Sequence, residues 1–145
     1  MTTLEEIAVL ARAEQGLAVV STLRADRTIQ WSLVNVGVLD HPLTGKAVLA
    51  FVTYGKVKLA NLRTRSQLTT TVRSGWNWAA VEGTAQLIGP DDANPAVDAD
   101  RLRLLLREIF VAAGGTHDDW ESYDATMLDQ RRTAVLIEPS RIYSN

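Results

Sequence analysis

Gly55-Lys56-Val57-Lys58 follows an apolar run from Ala47 to Val52, and Asn61 comes about one helical turn after Lys58. Gripping a phosphate takes fixed cations together with backbone donors, and a helix N-terminus supplies the donors because its first amides lack intrahelical partners. A strand–glycine–helix junction here would place Lys56 and Lys58 on one side of a turning segment, with the Asn61 amide within reach. The same Lys-x-Lys spacing is common on solvated helix starts, so these residues alone leave both roles open. Trp76 and Trp78 flank Asn77 just after Gly75. Alternation along a strand would send both indoles to the same side, where they can wall a planar ring system or equally serve core packing or a subunit contact.

Other chemistries find little support. The two histidines are His41, in a proline-containing turn, and His117, beside Asp118 and Asp119. No Gly-x-Ser-x-Gly elbow accompanies them, so a serine triad is not expected, and His41 reads as a turn residue. Asp118 and Asp119 suit helix capping better than metal ligation, and Asp91-Asp92 suits a solvated, capping role better than acid–base work. Gly-x-Gly-x-x-Gly and Walker patterns are absent. We expect no metal site and name no catalytic side chain.

Charge is distributed unevenly. The net charge is −2, which argues against a nucleic-acid surface. Between Asp40 and Glu82 there is no acidic residue, yet the interval carries Lys46, Lys56, Lys58, Arg63, Arg65 and Arg73. Such segregation creates a local positive potential suited to a small polyanion, unless the cations merely decorate solvated faces. Cysteine is absent, excluding disulfides, thiolate catalysis and cysteine-held metals. The start Met-Thr-Thr-Leu-Glu-Glu lacks a secretory signal's basic and apolar parts, so the expectation is a cytoplasmic protein with no membrane segment. With 145 residues, 46% hydrophobic and 22% charged, the composition predicts one domain over 1–145.

The elements that must position these residues follow from periodicity. Thr3 and Glu6 form a capping-box pattern before Leu4, Ile7, Leu10 and Ala11, predicting a first helix that ends by Gly16. Leu17 to Arg24 and Ile29 to Leu39 predict a hairpin. After the turn Asp40 to Gly45, Ala47 to Tyr54 predicts a third strand, with a short helix following Gly55. Gln67 to Arg73 and Trp78 to Ile88 predict two more strands, with Gly83 as a bulge or close-approach point. Val97 to Ala113 predicts a helix closed by Gly114-Gly115, and Thr116 with Asp119 starts another that runs to about Gln130. Thr133 to Ile137 continues past Pro139 toward Tyr143 as a last strand. Tight turns between neighbouring strands favour antiparallel pairing. The fold class expected is α+β, mainly β, as a barrel or curled sheet of about six strands with flanking helices.

The ordered set Gln30-Trp31-Ser32, Ala50-Phe51-Val52-Thr53, Lys56-x-Lys58-x-x-Asn61-Leu62-Arg63, Gly75-Trp76-x-Trp78-Ala79-x-Val81-Glu82-Gly83-Thr84-Ala85, His117-Asp118-Asp119-Trp120 and Arg131-Arg132 resembles the pyridoxamine-5'-phosphate-oxidase-like split-barrel superfamily. Within it, the pattern is similar to the flavin/deazaflavin oxidoreductases of the B group. The resemblance implies a six-stranded antiparallel split β-barrel that forms a homodimer with cofactor grooves at the subunit interface. It implies an enzyme that passes hydride from reduced coenzyme F420 to an electron-poor small molecule, the alternatives being an FMN-dependent reductase or oxidase and a non-catalytic carrier of F420, haem or lipid. Lys56, Lys58 and Asn61 would hold the phosphate and acidic tail, with Arg63 as a helper. Gln30, Ser32 and Thr53 would reach the ring or ribityl chain, and Trp76, paired with Trp78, would lie near the ring edge of the same or the opposite subunit. Ser66-Gln67 stands where relatives often place a proline, and Trp31 and Leu33 alter the strand facing the ring.

Overall fold

The computed structural model describes residues 2–145. Helix α1 (Leu4–Arg12) opens on the capping box foreseen from Thr3 and Glu6 and buries Ile7 and Ala11. Strand β1 (Leu17–Leu23) pairs antiparallel with β2 (Ile29–Asn35). The short β3 (Gly37–Asp40) pairs with β4 (Ala47–Thr53), after which come α2 (Lys56–Thr64), β5 (Gln67–Ser74) and β6 (Asn77–Ile88). Helices α3 (Ala99–Ala112) and α4 (Trp120–Asp129) then lead into β7 (Thr133–Ser144). The strands form one antiparallel sheet in the order β2-β1-β5-β6-β7-β4-β3.

The sheet has seven strands, not six, and its hydrogen-bond ladder does not close into a barrel. The extra strand arises at Val36. The β-branched run from Ile29 to Leu39 reads locally as one strand, but Val36, whose amide donates to Gly16 O at 2.8 Å in continuation of the β1–β2 register, is the last residue to follow β1. The two halves then follow different partners, β2 on β1 and β3 on β4, which become the two edges of the sheet. Gly37 makes the break possible, because a Cβ there would stand 2.4 Å from the Ala112 carbonyl carbon at the end of α3. Any side chain would push that helix off the sheet.

The sheet nevertheless curls. Val34 from β2 and Leu49 and Phe51 from β4 share one core cluster with Val20, Leu68, Val81 and Ile137, and α1 and α2 pack Ile7, Leu59 and Leu62 against it. A second core lies on the other face of β4 and β7. There Ala50, Ala134 and Leu136 meet Leu105 and Ile109 of α3 and Tyr123 of α4. The anticipated irregularity at Gly83 is a register shift between Glu82 and Gly83 opposite β7. Among the described residues no helix is long and apolar enough to cross a membrane.

Candidate functional site: the β4–α2 junction

Strand β4 lies between β3 and β7 with a core on each face, so nearly all of it is buried. It ends by presenting Thr53, which is buried, at the turn into α2. The Thr53 Oγ1 accepts from the Gly55 amide at 3.2 Å and from Lys58 Nζ at 3.2 Å, so one hydroxyl sets both the turn and the lysine. Helix α2 begins at Lys56 with Gly55 as its N-cap. No side chain caps its first turn, and no acidic residue occupies it. The helix end therefore keeps free amides and a positive partial charge, reinforced by two lysines.

Helical spacing sorts the residues of α2. Lys58, Leu59, Asn61 and Leu62 turn inward, while Lys56, Val57, Ala60 and Arg63 face out. Lys58 is only 5% exposed, with Nζ 5.5 Å from the centre of the Phe51 ring. Burial pulls its pKa below the ordinary lysine value, and the nearby Arg132 charge pulls it further. Asn61 Nδ2 donates to Thr22 Oγ1 at 3.0 Å, and Thr22 Oγ1 in turn donates to Gln30 Oε1 at 3.0 Å. Gln30, Thr53, Lys58 and Asn61 thus gather around α2 and the strand ends beneath it, with Lys56 on the rim.

Of the other residues singled out from sequence, Ser32 lies one alternation step from Gln30 on the same face of β2, while Arg63, Trp76 and Trp78 go elsewhere. Ser32 lies beside Val20, with its Oγ buried and unpaired, as is Thr70 Oγ1 on Val20's other flank. Arg63 forms a two-point ion pair with Asp92, at 2.8 and 2.7 Å. Trp76 is 92% exposed in the β5–β6 turn, and Trp78 is the second residue of β6, with its indole edge-on to Tyr143 at 6.2 Å. Because Trp76 sits in a turn, strand alternation does not govern the pair. Both indoles lie at the opposite end of β6 from Ile88, whose β7 neighbours lead back to Thr53.

The six cations of the acid-free interval do not form one cradle. Lys56 and Lys58 share the first turn of α2, but Arg65 Nε donates to Leu23 O and Arg73 to Gly75 O. Asp91 and Asp92, expected as solvated caps, are ion-paired to Arg131 and Arg63. Asp119 caps α4 through the Ser122 amide, and His41 Nδ1 accepts from the Leu43 and Thr44 amides in its turn, both as expected, while Asp118 is exposed beside His117.

Sequence reasoning gave no site role to Arg132. Thr133 pairs with Thr53 across β7 and β4, so the residues just outside that pair, Arg132 and Tyr54, meet. The Arg132 guanidinium lies 3.9 Å from the centre of the Tyr54 ring, and Nε donates to Gln130 Oε1 at 2.8 Å. Burial pulls its pKa below the arginine norm, while Tyr54 and Tyr123 oppose that pull. Arg132 and Lys58 are two desolvated cations close enough to feel one another, and neither has a carboxylate partner among the described residues. A cavity of about 200 Å³ adjoins Arg132 at the end of β2, lined by Asn35, Val52, Phe110, Tyr123 and Arg132 among others. Arg131-Arg132 was visible as a basic pair in sequence. Only the fold separates Arg131, which turns to Asp91, from Arg132, which turns to the junction.

The curled antiparallel sheet with its flanking helices is a fold shared with solved structures described as belonging to the pyridoxinephosphate oxidase family and as pyridoxamine-5'-phosphate-oxidase-related. The chain is similar over 99% of its length to the conserved hypothetical protein Rv2991 from Mycobacterium tuberculosis, covering 84% of that chain, with TM-score 0.69 and 18% identity. It also resembles a structure described as an F420 reductase, with TM-score 0.58, 15% identity and 88% of each chain covered. A pyridoxamine-5'-phosphate-oxidase-related, FMN-binding protein from Nostoc punctiforme matches at TM-score 0.60 and 13% identity, over 99% of this chain and 86% of that one. No protein-family model matches the chain.

Proposed function

We propose that this chain is a flavin- or deazaflavin-dependent oxidoreductase that uses coenzyme F420, with the cofactor's phosphate seated at the start of α2. The observation that carries this reading is the buried Lys58 ammonium, which has no carboxylate partner and stands behind a helix N-terminus that has neither an acid nor a capping side chain. A desolvated, uncompensated cation is costly, and an anion at the helix end would offset that cost. Similar structures described as an F420 reductase and as an FMN-binding protein support a redox cofactor of this class.

The residues present fit such a group. The free amides of α2 and the Lys56 ammonium supply donors toward solvent, and Thr53 holds Lys58 behind them. Gln30 and Asn61, locked through Thr22, give that end of the sheet a rigid polar floor. When bound, the coenzyme supplies the hydride chemistry, leaving the protein to bind, orient and shield. No side chain is assigned a proton-transfer role, and the acceptor we propose is an electron-poor small molecule.

The outer face of β2 supports a homodimer as the working form. Ile29, Trp31 and Leu33 are 66%, 64% and 57% exposed on adjacent outward positions, forming an apolar stripe on an edge strand. A second copy laid on this stripe would cover it and wall the opening between β2 and β4.

Fluorescence titration of the purified protein with F420 and, separately, with FMN tests the proposal at two salt concentrations. Saturable F420 binding that weakens with salt is expected, with Lys56→Ala reducing both the affinity and the salt dependence. Tight FMN binding without F420 binding would move the assignment to a flavin enzyme, and binding of neither would end it.

A further inference from the structure

A second cavity lies away from the junction floor, between α3, α4 and the loop 89–98. Its volume is about 610 Å³, within the range of roughly 300–1,000 Å³ usual for small-molecule sites. The walls are mainly apolar, from Ile88, Val97, Leu102, Leu106, Met127 and Leu128. The loop that roofs it is held at two points, Arg63 to Asp92 from α2 and Arg131 to Asp91 from the α4–β7 turn. Two short β-bridges, Gly89 to Asp92 and Asn94 to Val97, stiffen it further.

The charged groups around this cavity are almost all spoken for. Asp98 accepts from the Arg101 amide as the cap of α3. Asp100 is paired with Arg103, and Asp124 with both Arg103 and Arg107. Arg132 differs: it lines the cavity and is half-buried, and its neighbours are the neutral Gln130 amide and the Tyr54 ring. Apolar walls with one uncompensated guanidinium complement a molecule with an apolar body and a single carboxylate, because Arg binds carboxylates through its planar fork of donors.

We propose that the cavity between α3, α4 and the 89–98 loop is a binding site for a small apolar monocarboxylate, such as a medium-chain fatty acid, with Arg132 holding the carboxylate. This proposal does not rest on the cofactor reading, although Arg132 borders both the cavity and the junction. Arg132 and Met127 also line the smaller cavity at the β2–β4 opening, so the two spaces share a wall. Occupancy of one is therefore placed to influence the other.

Calorimetric titration of the cofactor-free protein with decanoate, and with decanol as its uncharged counterpart, tests the proposal. Decanoate should bind at least about tenfold more tightly than decanol, since a charge-assisted contact distinguishes them. Arg132→Gln should abolish that preference while leaving weak binding of both. Ala125→Trp, at an exposed position on the cavity wall, should block both ligands without changing F420 or FMN affinity. Equal affinities for decanoate and decanol, or decanoate binding undiminished in Ala125→Trp, overturns the proposal. The separate coenzyme titration of the same preparations shows whether the cofactor reading stands or falls independently.

Discussion

Replacing Lys58 with methionine separates stability from binding. Methionine keeps an unbranched apolar stem of similar reach, so the charge is the principal loss. In the cofactor-free protein Lys58 as a residue is 5% exposed, and burying its ammonium carries a desolvation cost on the order of several kcal/mol. Its hydrogen bond to Thr53 offsets about 1 kcal/mol. The Phe51 ring, at 5.5 Å, offsets about 1 kcal/mol more, and the Arg132 charge opposes both. The balance predicts a cofactor-free Lys58→Met variant about 1 kcal/mol more stable than wild type near neutral pH. The pH dependence follows from linkage. The folded pKa of Lys58 lies below 10.5, so the unfolded chain holds that proton more tightly. The wild-type penalty is complete below the folded value and fades as pH climbs to 10.5, so the methionine advantage should shrink over that interval. Coenzyme affinity moves the other way, weakening by roughly 1–3 kcal/mol through loss of a charge-assisted contact. Urea denaturation read by tryptophan fluorescence, near pH 7 and about pH 10, gives the first quantity, and coenzyme titration gives the second. A variant less stable than wild type near neutrality, or one whose coenzyme affinity is unchanged, refutes the reasoning.

The fold and assembly make further predictions. Gly83→Ala would set a Cβ 2.4 Å from Glu138 O and 2.8 Å from Ile137 Cγ2, and should cost about 2 kcal/mol in urea denaturation; no loss would show that the β6–β7 register yields easily. Trp31→Asp should convert a dimer to a monomer in light scattering, and a monomeric wild type would remove the β2 stripe as an interface. Asp124 is held below the usual carboxylate range chiefly by its hydrogen bond to Arg107, against the opposing effect of burial, with Arg103 helping. Its contribution is therefore present above about pH 4 and lost as pH falls through the lowered folded value. Asp124→Asn should be less stable than wild type near neutrality, with the gap closing in acid; a gap that persists unchanged in strong acid would mean the loss is not electrostatic.

Local sequence determined the short-range parts of this protein. The Thr3–Glu6 box, the Gly55 junction, the Gly83 irregularity and the Asp119 cap each depend on residues within a turn or two, where side-chain chemistry acts directly on the adjacent backbone. Lys56, Lys58 and Asn61 could be placed on one short helix for the same reason.

Tertiary structure decided what those elements met. The run from Ile29 to Leu39 has uniform strand propensity, and only the docking of α3 against Gly37 and the change of partner after Val36, from β1 to β4, split it into two strands. Which side of α2 faces inward, and hence that Lys58 is buried while Lys56 is not, depended on where the shared core lay. Arg132 joined the site because β7 lies beside β4, an adjacency between segments far apart in the chain. Propensity and capping act over a few residues, whereas burial and charge pairing depend on distances that exist only once the sheet has curled around its core.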